Sequence, residues 1–166
     1  GHEYLIRAAG EVVRRCPSVR FLLVGDGILR PQFERQIQQA GLSEHFRFTG
    51  LVSPERIPEL LGAIDILVHV SLREGLARAL PQALIAGKPV VSYDIDGARE
   101  VTIEGQTGFL LPPRSVPPLA DALVQLAQDA ALRERLGRQG QERFTEQFRH
   151  ENMTCQLRDL YQRLLA

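Results

Sequence analysis

The chain has 166 residues, 44% of them hydrophobic and 24% charged, with a formal net charge of zero. That is one domain's worth of ordinary globular protein, able to bury a single core. Lys88 is the only lysine, and the arginines are scattered among carboxylates, which argues against a nucleic-acid-binding stripe. No apolar run approaches the ~18 residues that cross a bilayer.

The two cysteines, Cys16 and Cys155, stand far apart in helix-like stretches and read as small, buried or half-buried apolar residues. So little cysteine makes a reducing cytoplasm the simplest compartment. His2, His45, His69 and His150 are dispersed, so no metal site is expected.

In chain order, Gly1-His2-Glu3 lacks an initiator Met and runs directly into the apolar spacing of Leu5, Ile6, Ala9, Val12 and Val13. The chain thus reads as starting part-way through a fold, with a helix over 3–15 that stops at Pro17. Val19 to Val24 reads as a buried strand closed by Gly25-Asp26-Gly27. A helix over 30–40 ends at Gly41, placed as a C-terminal cap. Phe46 to Thr49 is a short strand, and Ser53-Pro54 opens a helix reaching about Leu61.

Ile64 to Val70 is the next strand, Ala77 to Ala86 a helix capped by Gly87, and Pro89 to Tyr93 a further strand. A strand-like piece over 108–111 precedes Pro112-Pro113. Three helices follow, over 116–128, 131–144 and 151–165, which pack on the domain or on a neighbour. Alternating strands and helices predict a doubly wound parallel α/β sheet, Rossmann-like in class. The unbroken apolar runs Phe21-Leu22-Leu23-Val24 and Ile66-Leu67-Val68 suit strands buried on both faces.

Ligands of such folds sit beyond the carboxyl ends of the strands, which directs attention to the turns after Val24, Phe48, Val70 and Tyr93. The first turn begins like a dinucleotide fingerprint but carries Arg30 where the third glycine belongs, so a redox dinucleotide enzyme is disfavoured. The turn after Val70 is richer: Ser71-Leu72-Arg73-Glu74-Gly75-Leu76-Ala77-Arg78 leads into a helix. Free N–H groups at a helix start form an anion site, and Gly75 would admit a phosphate close to the backbone. Glu74 beside it could accept hydrogen bonds from sugar hydroxyls; the alternative is an ordinary helix start with Glu74 exposed. Asp94 to Glu100 brings several carboxylates together without the ligand count of a calcium loop. It reads as a loop bordering the pocket, with Asp capping a helix. The arginine-rich stretch from Arg133 to Arg143 reads as a solvated helix face.

Taken jointly, several segments resemble the donor-binding half of family 4 glycosyltransferases, the retaining enzymes of GT-B architecture. They are Phe48-Thr49-Gly50, Asp65 to Val68, Ser71 with Glu74-Gly75, Ala86 to Val91, Gly97 with Glu100-Val101, and Gly105 to Leu110. Gly1-His2 is similar to the segment leading into that domain's first helix. The resemblance implies one domain over 1–166, a piece of a longer two-domain enzyme whose N-terminal half holds the acceptor. It implies transfer of a sugar from a nucleotide diphosphate sugar, which is substrate rather than cofactor; no cofactor or metal is implied.

On that resemblance Glu74 is the first glutamate of an E-x7-E motif and binds the donor sugar near the reacting carbon. The backbone of Gly75, Leu76, Ala77 and Arg78 would hold the diphosphate, and Leu51 and Val52 lie where the base is held. The second glutamate falls at Gln82, where a carboxylate would accept from the ribose hydroxyls. Gln accepts with only its oxygen, a loss of about 1 kcal/mol. The family's phosphate-neutralising Arg and Lys, and its first strand, would lie upstream of Gly1. The piece alone is therefore expected to bind donor weakly, to be inactive in transfer, and to leave a sheet gap open to another chain. Relatives act at the inner membrane face, so the parent could associate there peripherally. Two alternatives stand: a non-catalytic nucleotide-sugar-binding module, and a sugar-nucleotide epimerase, against which Glu74-Gly75 argues.

Overall fold

A computed structural model describes residues 1–165. Helix α1 (His2–Arg15) buries Leu5, Ile6, Ala8, Ala9 and Val12, the face its three-to-four spacing dictates. Then come β1 (Phe21–Leu23), α2 (Arg30–Gln39), β2 (Phe46–Phe48) and α3 (Ile57–Ala63). The second half runs β3 (Leu67–His69), α4 (Ala79–Ile85), β4 (Val90–Tyr93), β5 (Gly108–Leu111), α5 (Val116–Gln128), α6 (Ala130–Phe144) and α7 (His150–Leu165). Gly41 and Gly87 take positive φ (70° and 72°) just past α2 and α4, the left-handed stop that glycine makes without strain.

All named strand pairs are parallel, as expected of a doubly wound fold, but the strands form two sheets. One is β1-β2; the other is β3-β4-β5, with β4 central. No ladder joins β1 to β3 among the described residues.

The three-stranded sheet is covered on both faces. Alternate residues of a strand point to opposite sides. Accordingly Val91, Tyr93 and Leu111 join one core with α1 and α5, while Val90 joins a second with Leu80, Ala83 and Leu84 of α4 and Phe144 of α6. Every residue of β4 is buried. Helix α6 reaches α4 through glycines. A Cβ on Gly137 would stand 2.0 Å from the Gly87 carbonyl oxygen, and one on Gly140 would meet the Leu84 side chain at 2.6 Å.

The two-stranded sheet turns only one face inward, where Phe21 and Phe46 stack at 4.7 Å between centroids. Here the expectation of a strand buried on both sides fails. Leu22 is 37% exposed and Val24 46%, because no element covers that face and β1 lacks a second partner. Strand β3 is intermediate in burial throughout, for the same want of a neighbour on one edge.

The helix opened by Ser53-Pro54 begins instead as a 3-10 turn, with no side-chain cap from Ser53. Helix α7 buries no residue, and Cys155 on it is exposed rather than half-buried. Among the described residues no helix is long and apolar enough to cross a membrane.

Candidate functional site

Parallel strands end together, so the turns after β3 and β4 leave the sheet at one edge. His69 is the last residue of β3, and Glu74 stands in the loop that follows. The Glu74 carboxylate accepts from the Ser71 hydroxyl at 3.3 Å and lies 3.9 Å from Nε2 of His69. The Glu74 side chain is 42% exposed, open to a ligand, whereas that of His69 is 18% exposed. Burial pushes the His69 ring below its ordinary pKa, against the opposing pull of the Glu74 charge. A neutral imidazole beside an acceptor carboxylate is the resting state this geometry favours.

The loop is tied from outside by the turn after β4. Oδ2 of Asp96 accepts from the Glu74 N–H at 3.0 Å, and the Gly97 N–H donates to the Gly75 carbonyl at 3.4 Å. Gly75 and Arg78 are exposed, while Leu76 and Ala77 pack against the second core. Helix α4 begins at Ala79, so the segment from Gly75 to Arg78 precedes it. Pro81 falls in the first turn, where its missing N–H removes no needed bond. Gln82, one residue further, is exposed.

Leu51 and Val52 follow β2 in the other sheet, with Leu51 86% exposed. Gly50 holds that turn against Gly25, whose N–H donates to the Gly50 carbonyl at 3.1 Å. No hydrogen bond or ion pair links Leu51 or Val52 to the Glu74 loop among the described residues. A cavity of about 150 Å³ opens at the ends of β1 and β2, lined by His2, Leu23, Asp26, Arg30, Phe33 and Phe48 among others. The His2 ring stacks on Phe33 at 5.0 Å, and the Arg30 guanidinium lies 5.1 Å from the Phe48 centroid, held by Asp26 and Glu34. A larger cleft of about 360 Å³, lined by Gln106, Thr107, Gln139, Glu142 and Arg143, sits at the opposite end of the strands. No group of three or more His, Cys, Asp or Glu side chains suited to a metal occurs among the described residues.

Sequence reasoning put Glu74 and Gly75 in a turn between strand and helix, and the structure has them in the loop between β3 and α4. It missed His69, although a histidine closing a strand five residues before a candidate carboxylate is a readable signal. It also read Asp in the turn after β4 as a cap on its own helix. Asp96 makes no such cap and reaches across to Glu74, a pairing over 22 residues that local sequence cannot reveal.

The family model for glycosyl transferases group 1 matches residues 1–143. The chain belongs to the group 1 glycosyltransferases. Among relatives of this glycosyltransferase chain is alpha-D-kanosaminyltransferase of Streptomyces kanamyceticus, 35% identical over 136 residues, 82% of this chain and 35% of that enzyme. Among solved structures, Anabaena Alr3699/HepE in complex with UDP superposes with a TM-score of 0.89 at 27% identity, over 98% of this chain and 45% of that one. The C-terminal domain of the group 1 family protein LpcC from Francisella tularensis gives 0.82 at 25% identity, over 90% of this chain and 80% of that domain. The doubly wound architecture is thus that of a GT-B C-terminal domain. The glycosyltransferase chain spans only 26% to 44% of the length of the curated relatives it matches.

Proposed function

We propose that this chain is the donor-binding domain of a retaining glycosyltransferase that moves a sugar from a nucleotide diphosphate sugar to an acceptor held elsewhere in the parent enzyme. The observation that carries this reading is Glu74. Its carboxylate is exposed at the carboxyl edge of β3, oriented by Ser71, next to a glycine and a short run of backbone that leads into α4. Glu74 accepts hydrogen bonds from the donor sugar's hydroxyls beside the reacting carbon. The backbone of Gly75, Leu76, Ala77 and Arg78 takes the diphosphate, with the exposed Arg78 guanidinium adding charge. Leu51 and Val52 border the base, and Gln82 faces the ribose. The diphosphate is neutralised without a metal, and the parent enzyme works in the cytoplasm or against the inner membrane face. HepE, a neighbour in fold, was solved with UDP and with UDP-glucose, which supports a nucleotide-sugar ligand here.

Titration of UDP, GDP and ADP and of their glucose conjugates into isotope-labelled chain, followed by amide shifts, tests the reading. Shifts at residues 74–78 and near Leu51 for one base, weakened by Glu74→Ala, are expected. Silence from every nucleotide, persisting when the upstream part of the parent enzyme is restored, would sink it.

A second reading, a binding module without catalysis, is favoured by one residue: Gln82 stands where the resemblance calls for a carboxylate. Gln82→Glu restores a charged acceptor and should tighten donor binding several-fold, about 1 kcal/mol. A parent enzyme that binds donor and neither hydrolyses nor transfers it would decide for the module.

A further inference from the structure

Between Ser71 and Leu76 the candidate donor loop is packed through Leu72 and Leu76 but held by few hydrogen bonds. No strand or helix includes these residues, and among the described residues the Glu74 side chain makes its one hydrogen bond to Ser71 in the same loop. The bonds that leave the loop go to the turn after β4: Glu74 N–H to the Asp96 carboxylate at 3.0 Å, and Gly97 N–H to the Gly75 carbonyl at 3.4 Å. The two turns also touch. A Cβ on Gly97 would stand 3.2 Å from Cβ of Leu76, closer than ordinary packing.

Asp96 has features that a solvated surface carboxylate lacks. Its φ is +41°, a conformation that favours glycine and, among other residues, asparagine and aspartate. It opens a 3-10 turn, Asp96–Glu100, yet gives that turn no side-chain cap. Asp94, two residues before it, is engaged by Arg99 in a two-point pair at 3.0 and 2.8 Å. No Arg, Lys or His nitrogen approaches the Asp96 carboxylate as an ion pair among the described residues. Among the described residues its one hydrogen bond is to the amide of Glu74.

We propose that Asp96 is a positioning residue for the donor site: by holding the Glu74 N–H it sets where the Glu74 carboxylate and the backbone after it stand. This rests on the donor-site reading given above. The sugar end of the ligand feels the effect most, because Glu74 faces the sugar hydroxyls while the base lies by the other sheet. A charge-assisted bond to a backbone amide is stronger than a neutral one and has a fixed direction, which is what orients a loop of this length.

Two substitutions separate the bond from the backbone conformation. Asp96→Gly accepts the positive φ and removes the acceptor; Asp96→Asn keeps an acceptor oxygen at the same reach and tolerates the same φ. Exchange of the Glu74 amide with water, measured by NMR on the free chain, should rise about tenfold in Asp96→Gly and only about two- to threefold in Asp96→Asn, which keeps the acceptor and loses the charge. Whichever of UDP-, GDP- or ADP-glucose the parent chain binds best should then lose about tenfold in affinity in Asp96→Gly, with the bare nucleoside diphosphate changing less than threefold. Asp96→Asn should recover most of the loss. Unchanged Glu74 exchange in Asp96→Gly overturns the proposal, and so does equal loss of sugar conjugate and bare diphosphate. Absence of binding by the unsubstituted chain would count against the donor-site reading instead, and the ligand-free exchange comparison would still decide whether Asp96 holds the loop.

Discussion

The two sheets are built from similar apolar strands and end in different states. In β3-β4-β5 the central strand Val90-Val91-Ser92-Tyr93 is wholly buried, with α1 and α5 on one face and α4 and α6 on the other. In β1-β2 only Phe21, Leu23, Phe46 and Phe48 face the core, and Leu22 and Arg47 lie exposed on an uncovered side. Apolar composition therefore does not by itself bury a strand. Burial on both faces needs helices on both sides and a hydrogen-bonding neighbour on each edge, and β1 has neither in full. The candidate sugar site is carried by the better-built sheet.

The sharpest way to break the contrast is at the contact between α6 and the end of α4. Gly137→Ala would place a Cβ 2.0 Å from the Gly87 carbonyl oxygen, a backbone atom that cannot swing aside. Separation of α6 from α4 should cost about 3 kcal/mol or more. Gly10→Ala is the control: it lies inside α1 with nothing within 4 Å of the new Cβ, and should stabilise by about 1 kcal/mol. Denaturant unfolding of the two variants measures both. Equal effects would mean that the close approach at Gly137 is not what closes the second core.

Next in size is a pair of leucines. Leu84 is fully buried against Phe144 and its neighbours, so Leu84→Ala should cost about 2–5 kcal/mol. Leu22 is 37% exposed on the bare face, and Leu22→Ala should cost about 1 kcal/mol or less. A Leu22 loss as large as that at Leu84 would show that β1 acquires a cover in solution, for instance by pairing with another copy through its free edge.

The sequence conveyed much of this and missed the rest for definite reasons. Helix and strand positions follow from local spacing, and Gly41 and Gly87 marked helix ends because the left-handed conformation there is a local demand. The place of Glu74-Gly75 in the loop between β3 and α4 was legible because a turn between strand and helix is a local pattern too. The division into two sheets was not read from the strands themselves, since pairing partners are set by tertiary neighbours. The packing role of Gly137 and Gly140 was hidden within an arginine-rich helix whose polar face drew the reading toward solvent. Asp96 was hidden by distance: its partner amide is 22 residues away.

The smallest effects lie at the carboxyl ends of β4 and β3, where the two degrees of burial should appear as two limbs of a pH profile. The Tyr93 hydroxyl is buried without a hydrogen-bond partner, and burial pushes it from about 10 up to about 12. The unfolded chain therefore ionises first, and stability falls as pH rises above 10. Tyr93→Phe should remove that limb and cost little at neutral pH, because the hydroxyl it deletes satisfies nothing.

His69 acts at the other end. Burial lowers its pKa below 6.5 in the folded chain, so the unfolded state takes up a proton first as pH falls. Its contribution is fully present above pH 6.5 and is lost progressively below that, until the folded imidazole also protonates. The Glu74 carboxylate, 3.9 Å away, partly offsets the burial and narrows this window. His69→Gln should flatten the acid limb below pH 6.5 in stability measured by denaturant titration, leaving the alkaline limb unchanged. An unaltered acid slope would mean that β3 is open enough for His69 to be solvated like an unfolded histidine. The difference in burial between β4 and β3 would then be larger than their folded positions show.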